Sequence, residues 1–516
     1  DTAMDVATQV IDPTAQDPRA EIAALARSHL VDLAGEGATE RVRLHPLIRA
    51  AAAELARNTE TTGDIRALGS RVLRHYLRTA EADDGALFPH RWRMISLSDR
   101  ERFTRPTVAD AFAWFEAEWR TILSLAKYAA EHEWQAECAD LMHLVAEYLD
   151  FRGRHAEAAE GHERAVRACR DIGDRLGRAR ALLDLAFARF RTANCEEAVN
   201  HLWAAQRIFS AERRPREIGR CLELHGLVRW SQEEHRRALA LFEDAEEYYR
   251  KAGDRKGVAD TLRHKGMAKW STGRYPDAER LFDEALGIYR ELGDRIGEMK
   301  ALTGKGHVAQ HMARHRDADR LFRESSAIYR ELTGEENHAI LDHNQGDLHK
   351  YKRRYETALE CYERALCSYR SAGNRRYEAE VLNAIGEACL GLGRTNEALE
   401  HFKRAQRLAE EISCRSQLAR ALVGLADIDR ELGRHEDATR LYMDAHNLAR
   451  TIDDLRQLAL IIDRLAHVRL DEDHRDEARW LWWEARYLYR QIGLHAFAEE
   501  IDLKLKMLGD RAFDDK

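Results

Sequence analysis

The sequence predicts an all-α protein, a right-handed α-solenoid of about nine helical pairs that repeat every forty residues. Composition is the first observation behind this prediction. Proline occurs 7 times in 516 residues, and charged residues make up 33% of the chain. Alanine, leucine, glutamate and arginine are strong helix formers. A repeat protein buries its core only between neighbouring repeats, so a polar average composition fits this architecture.

The second observation is a strict forty-residue period of small and large residues. A small residue recurs at Ala146, Ala186, Gly226, Gly266, Gly306, Gly346, Gly386, Ala426 and Ala466. Alanine recurs at Ala158, Ala198, Ala238, Ala278, Ala318, Ala358, Ala398, Ala438 and Ala478. A large apolar residue lies four positions after each of these alanines from Ala198 onward: Leu202, Phe242, Phe282, Phe322, Tyr362, Phe402, Tyr442 and Trp482. The small residue predicts a close crossing of the two helices, and the ring fills the groove against the next helix.

This order of small and large residues resembles the tetratricopeptide repeat, from about Trp134 to Gly509. The usual period of that repeat is about 34 residues. The extra length here falls at Gly-Asp or Gly-Asn pairs, which begin at Gly173, Gly253, Gly293 and Gly373. Glycine ends a helix in the left-handed conformation, and the following Asp or Asn caps the next helix.

The regions outside the repeats have other patterns. Residues 1–57 are predicted to hold a helix, a β-hairpin near residues 29–48 and a second helix, as in the C-terminal part of a winged-helix domain. Residues 58–133 form a helical arm with a helix at 107–131, and residues 134–494 form the repeats. Residues 495–516 supply a capping helix and a tail.

Three segments in series indicate a larger family. They are RVRLHPLIRAAAAELA, SRVLRHYLRTAEADDGALFPHRWRM and AFAWFEAEWRTILSLAKYAAEHEW, which lead directly into the repeats. This order resembles the C-terminal half of actinobacterial STAND regulators, signal-transduction ATPases with numerous domains that include the antibiotic-regulatory-protein type. The resemblance implies a nucleotide-binding ATPase module (NB-ARC type) upstream, with repeats that act as sensor and autoinhibitory arm. It also implies nucleotide exchange and homo-oligomerisation when a ligand or partner is captured.

The resemblance also bears on nucleotide binding. No G-x-x-x-x-G-K-[ST] loop occurs in these residues, so ADP or ATP is expected only where an upstream ATPase module is present. The chain begins at Asp1 without a methionine, and we expect a fragment or a processed product. By family resemblance, His45 contacts the nucleotide diphosphate, although Pro46 follows it where the family has Asp. The alternative is that His45 only packs at a strand end.

The sequence has no recognisable catalytic chemistry. It contains neither G-x-S-x-G nor H-E-x-x-H, and we expect no enzyme and no cofactor. His307, His311 and His315 are spaced as metal ligands can be, but solvated histidines are the favoured interpretation. Eight scattered cysteines without a Cys-x-x-Cys pair favour a reducing, cytoplasmic location. A net charge of −8 and the lack of a long apolar stretch favour neither nucleic acid nor membrane as a partner.

The middle repeats depart from their own pattern on the first helix of each pair. A position that is Ile385, Leu425 or Leu465 in later repeats becomes His225, Lys265 and Lys305. Nearby positions hold Phe190, Trp230 and Trp270, Met267 and His307, and Arg220, Arg263 and Lys300. Rings beside cations predict a groove for a protein or peptide, such as an acidic peptide, or for an anionic or aromatic small ligand. The alternative is a solvated helix face with structural rings.

Two function classes follow. The first is the sensor half of a STAND-type regulator, and the second is a constitutive adaptor that holds a partner protein. The adaptor hypothesis places its contact at the C-terminal end, for example at Trp480 and Trp483.

Overall fold

The computed structural model describes residues 2–3, 17–34, 41–44, 46–91, 93–94, 106–333, 339–371 and 373–508. The chain divides into two compact units, Asp1–Arg189 (unit 1) and Phe190–Lys516 (unit 2). The secondary structure of the described residues is almost entirely helical, as predicted.

Unit 1 begins with a small sheet and two helices. The elements are β1 (Thr2–Ala3), α1 (Pro18–Arg27), β2 (Asp32–Ala34), β3 (Arg41–Arg43) and α2 (Pro46–Thr59). Strands β2 and β3 pair antiparallel, which confirms the predicted hairpin. Strand β1 pairs with the other edge of β3, an addition that the sequence pattern did not reveal. The sheet fits a winged-helix remnant, which stays a prediction, and His45 lies outside the described residues.

Two long helices continue unit 1, α3 (Thr62–Leu87) and α4 (Val108–Glu131). Each is preceded by a threonine whose side chain satisfies an otherwise unpaired backbone N–H. Thr61 accepts a hydrogen bond from Asp64 N, and Thr107 accepts one from Asp110 N. The predicted helix at 107–131 is therefore confirmed.

Nine helical pairs follow within the described residues. The pairs of unit 1 and of its border with unit 2 are α5 (Gln135–Phe151) with α6 (His155–Asp171) and α7 (Arg175–Arg191) with α8 (Cys195–Ala211). Unit 2 continues with α9 (Pro215–Ser231), α10 (His235–Ala252), α11 (Arg255–Ser271), α12 (Tyr275–Leu292), α13 (Arg295–His311), α14 (His315–Thr333), α15 (Ala339–Tyr351), α16 (Tyr355–Ser371), α17 (Arg375–Gly391), α18 (Thr395–Glu411), α19 (Arg415–Glu431), α20 (His435–Thr451), α21 (Leu455–Asp471) and α22 (Arg475–Gln491). A last helix, α23 (His495–Met507), packs against α22 through Ile501 and Leu505. This is the predicted capping helix.

The recurring glycine or alanine occupies a site where the two helices of a pair cross closely. A Cβ on Gly266 would lie 3.0 Å from the ring of Phe282 in the same pair. A Cβ on Gly304, in the next pair, would lie 2.5 Å from the same ring. The ring therefore fills the space between the first helices of two successive pairs, as the pattern predicted.

The Gly-Asp turns between pairs also have the predicted conformation. Gly253 has φ 67° and Gly293 has φ 70°, both in the left-handed region. The carboxylates of Asp254 and Asp294 accept hydrogen bonds from Gly257 N at 3.0 Å and Gly297 N at 2.9 Å. Each turn thus ends one helix and caps the next.

Candidate ligand-binding face of unit 2

The first helices of successive pairs share one face in unit 2. Positions such as 260, 263, 267 and 270 lie on one side of a helix, because they are three or four residues apart. Side chains at these positions contact the next first helix: Trp230 Nε1 donates to Ser271 Oγ at 3.0 Å, and Lys350 Nζ donates to Glu387 at 2.6 Å. We call the surface formed by these positions and their equivalents, from α9 to α21, the inner face.

A network of charges covers the inner face on α15, α17 and α19. The hydroxyl of Tyr362 donates to Asp347 at 2.6 Å, and Arg420 Nε donates to Glu387 at 2.5 Å. Burial opposes ionisation of Glu387, yet the charges of Arg420 and Lys350 hold its pKa below the ordinary value. These carboxylates are therefore ionised and already paired.

An aromatic cluster covers the inner face on α11 and α13. The ring of Trp270 lies 5.6 Å from His307 and 5.2 Å from His311, between ring centroids. Burial lowers the pKa of His307 to about 4, so its imidazole is neutral at physiological pH. The indole N–H of Trp270 is buried and has no hydrogen-bond acceptor among the described residues. Such a donor is costly to leave unsatisfied.

Two further charged groups lie at this surface, Glu380 on the inner face and Arg456 one helical turn before the first inner-face position of α21. Neither Glu380 nor Arg456 forms an ion pair with a described residue. The carboxylate of Glu380 nevertheless lies close enough to His307 to oppose the effect of burial on its pKa. The guanidinium of Arg456 acts on His311 in the opposite sense, and together with burial it lowers the pKa of that imidazole well below the ordinary range. Charges of both signs that form no direct ion pair therefore border the aromatic cluster, with Arg376 and Arg420 acting on Glu380 from a distance and Asp454 acting on Arg456.

Unit 2 contacts itself across long stretches of sequence beside this cluster. The carboxylate of Glu233, in the turn before α10, accepts hydrogen bonds from Arg415 N at 2.8 Å and Ser416 N at 2.9 Å, the first amides of α19. Arg376 donates to the carbonyl of Ser231 at 3.0 Å, and its guanidinium lies 5.1 Å from the ring centroid of Trp230. Residues 145 to 183 positions apart thereby border the same face.

A hydrophobic contact joins the fourth helical pair, α11 with α12, to the end of the last pair. Tyr275 is 1% exposed and packs with Tyr489, Ile492 and Leu494. Its hydroxyl lies 3.3 Å from His311 Nδ1. The turns of the third and fourth pairs thus contact the turns of the last three, and Trp230 and Trp270 lie beside these contacts.

The structure divides the predicted groove residues into two groups. The inner face holds Trp230, Trp270, Met267, His307, Arg263 and Arg220, all partly buried. Arg220 pairs with Glu223 at 3.3 Å, and Arg263 donates to Met267 Sδ at 3.4 Å. Lys300, at the inner-face position equivalent to Arg220, is exposed on α13, and Phe190 is half-buried at the end of α7.

The second group contacts the preceding helical pair instead. Lys265 Nζ donates to Glu246 on α10 at 2.9 Å, and Lys305 pairs with Asp283 on α12. The ring of His225 lies 5.6 Å from that of Trp203 on α8. These three positions face the second helix of the previous pair, so each lysine buries its stem there and pairs its ammonium at the edge.

Four residues at this surface were not predicted from the sequence: Glu233, Arg376, Glu380 and Arg456. One signal was present for Glu233. Its turn position has positive φ in each repeat and is glycine or alanine in most of them, for example Ala193, Gly273 and Gly433. A glutamate there is a departure that calls for a function of its side chain.

The remaining candidates are less promising as sites. No group of three or more potential metal ligands exists among the described residues, and His315 stacks on Tyr351. In the last pair, Trp482 is buried and donates to Asp463 at 2.8 Å, while Arg486 lies over Trp483. Trp480 is 65% exposed.

Within the described residues, no helix has the length and apolar character needed to cross a bilayer.

Comparison with known proteins agrees with this fold. A tetratricopeptide-repeat family model matches residues 257–331 and 337–411. A Rap protein complexed with Competence and Sporulation Factor is similar over 69% of this chain and 98% of its own, with 12% identity and a TM-score of 0.54. The fold is a tetratricopeptide-type all-α solenoid. A search of curated protein sequences found no significant match.

Two other solved structures are similar at lower scores. One is a Signal Transduction ATPase with Numerous Domains (STAND) protein with a tetratricopeptide repeat sensor from Pyrococcus horikoshii, at 15% identity and a TM-score of 0.49; the match covers 86% of this chain and 60% of that one. The other is the Rap conjugation gene regulator of plasmid pLS20 in complex with the Phr* peptide, at 16% identity and a TM-score of 0.48, covering 71% and 90%.

Proposed function

We propose that the chain is a sensing scaffold that binds a peptide or protein segment on the inner face of unit 2. The observation that carries this proposal is the aromatic cluster around Trp270, with its unsatisfied indole N–H and, beside it, the charged groups of Glu380 and Arg456, which form no direct ion pair with a described residue. The solenoid fold shared with a Rap protein that was solved with a bound factor supports it.

A peptide fits this chemistry better than a simple anion does. A peptide backbone supplies a carbonyl for the indole N–H, and it can carry charges of both signs to meet Glu380 and Arg456. Each exposed cation–π contact contributes about 0.5–1 kcal/mol, and somewhat more when desolvated. Micromolar binding needs about 8 kcal/mol, so several of these contacts act together.

We further propose that this scaffold is the sensor and autoinhibitory part of a cytoplasmic STAND-type regulator. In that setting ADP or ATP, His45 and homo-oligomerisation belong with an ATPase module that is joined to this chain, and the chain itself performs no catalysis. Calorimetry with ADP and ATP tests this assignment. We expect no heat of binding for this chain alone, and tight binding by it would contradict the proposal.

The binding proposal is tested by an unbiased selection of peptide ligands. A phage-displayed peptide library is selected on the full chain, and labelled peptides are then measured by fluorescence polarisation. We expect a Trp230→Ala/Trp270→Ala variant, checked by circular dichroism and thermal unfolding, to bind at least tenfold more weakly. Unchanged affinity in that folded variant would refute the assignment of the inner face.

A constitutive adaptor that binds through the last helical pair is the second candidate. Trp480 and Tyr487, seven residues apart on one face of α22, are 65% and 67% exposed. This hypothesis predicts that Trp480→Ala abolishes binding of the selected peptides while the inner-face variant retains it.

A further inference from the structure

A non-helical segment of unit 1 crosses the first helices of the first two pairs. Its described residues, 88–91 and 93–94, follow α3, and we call this segment the strap. Arg91 Nη2 donates to the carbonyl of His143 on α5 at 2.7 Å, and Arg180 on α7 donates to the carbonyl of Met94 at 2.5 Å. Both a side chain and the backbone of the strap are therefore held by the repeats.

The two arginines of the strap share one buried carboxylate. Arg91 Nη1 lies 2.8 Å from Asp84, and Arg93 pairs with the same carboxylate. The side chains of Asp84 and Arg91 are 0% and 9% exposed. Arg93 also donates to the carbonyls of Asp84 at 2.7 Å and Phe88 at 2.8 Å. The planar guanidinium groups are thus bound at several atoms each, which is a specific arrangement.

Further acidic groups complete the surroundings of Arg91. Glu147 lies 3.8 Å from its guanidinium, and Asp184, which hydrogen-bonds His143 at 2.7 Å, also acts on its charge. Burial lowers the pKa of His143 to about 3, so this neighbour adds no positive charge. The site is built for a guanidinium, since it is acidic and enclosed and also offers a backbone carbonyl.

The strap contacts the helix positions that form the inner face in unit 2. His143 and Glu147 precede Arg263 and Met267 by three repeats, and Arg180 precedes Asp260 by two. The strap therefore occupies, on the first repeats, the surface on which a solenoid of this kind presents side chains to a ligand.

We propose that the inner face of the first two pairs, together with the Asp84 carboxylate of α3, is a second recognition site, which binds an extended protein segment with two arginines separated by one residue. The strap holds this site as an intramolecular ligand. Because the strap is joined to the same chain, its effective concentration at this site is in the millimolar range, and a partner segment must displace it to bind. This site differs from the proposed peptide site of unit 2 in place and in ligand chemistry. Either proposal can be refuted without affecting the other.

The test adds the strap back as a separate peptide. A fluorescein-labelled peptide of residues 86–94 is titrated with the unaltered full chain and with the Arg91→Ala/Arg93→Ala variant. The matched control is the Arg167→Ala/Arg170→Ala variant, whose two substitutions lie on the exposed face of α6. We expect the first variant to bind the peptide at least tenfold more tightly than the unaltered chain and the control. A peptide with both arginines replaced by alanine should not bind. Equal binding by all three proteins, or none by a folded strap variant, would overturn the proposal.

A second measurement covers the case in which the strap variant fails to fold. In the unaltered chain, limited trypsin digestion should cut after Arg91 at least tenfold more slowly than after Arg213, which lies in an exposed turn. Protection of Arg91 supports the docked strap, and equal cleavage at the two sites would overturn the proposal.

Discussion

Replacement of Glu233 by alanine removes a helix cap that comes from 182 residues away in the sequence. The carboxylate accepts hydrogen bonds from two amides at the start of α19 and is 5% exposed. Loss of an N-cap costs about 0.5–2 kcal/mol, and loss of a charge at a helix N-terminus costs about 0.3–1 kcal/mol more. We therefore expect the variant to lower the free energy of unfolding of the chain by about 2 kcal/mol.

The repeat itself supplies a matched control. Asp473 occupies the same turn position six repeats later, with φ 61° against 62° for Glu233. Its side chain is 85% exposed. Aspartate tolerates this left-handed backbone better than alanine does, so Asp473→Ala includes any cost of alanine at this φ and serves as an upper limit for a substitution that removes no cap.

Urea unfolding followed by circular dichroism measures both variants. Asp473→Ala should stay within about 0.5 kcal/mol of the unaltered chain, as is usual for exposed positions. Equal effects of the two substitutions would show that the Glu233 carboxylate does not cap α19 in solution.

Three further predictions concern packing, pH and nucleotide. Gly266→Leu should destabilise the chain by roughly 1–3 kcal/mol in urea, because a Cβ there already meets Phe282 at 3.0 Å; unchanged stability would contradict the close crossing of α11 and α12. Burial, with a smaller effect of Asp110, raises the pKa of Asp83 to about 7, so its ionisation opposes folding increasingly as the pH rises from about 4 to 7. Asp83→Asn should therefore raise the thermal unfolding temperature at pH 8 relative to the unaltered chain and lose most of that advantage at pH 4, and the same shift at both pH values would contradict it. In a protein where this chain is joined to an ATPase module, His45→Ala should speed release of the bound diphosphate in a stopped-flow assay, and an unchanged rate would remove His45 from that site.

The repeat fold was predictable because each of its determinants is local. The glycine at position 266, the ring of Phe282 and the cap at Asp254 act between residues of one pair or of two adjacent pairs. A forty-residue period in the sequence therefore specifies them directly. The Glu233 contact with α19 could not be predicted in this way, since it depends on small rotations that accumulate over several repeats.

The candidate site was predictable in part for a similar reason. Trp230, Trp270 and His307 occupy equivalent positions on first helices, and helical spacing places them on one face. Lys265 and Lys305 were predicted to line the same groove, but their ammonium groups pair with the second helix of the previous pair. Strand β1 was also missed, because two residues carry no alternating pattern.

The central claim is that the inner face of unit 2 binds a peptide segment. Amide hydrogen exchange read by mass spectrometry tests it most directly, on the full chain with and without the tightest peptide from the library selection. The account predicts slower exchange in Arg255–Ser271, Arg295–His311 and Arg375–Gly391, with no change in Arg475–Gln491. Protection confined to Arg475–Gln491 would contradict it and place the interface at the last helical pair.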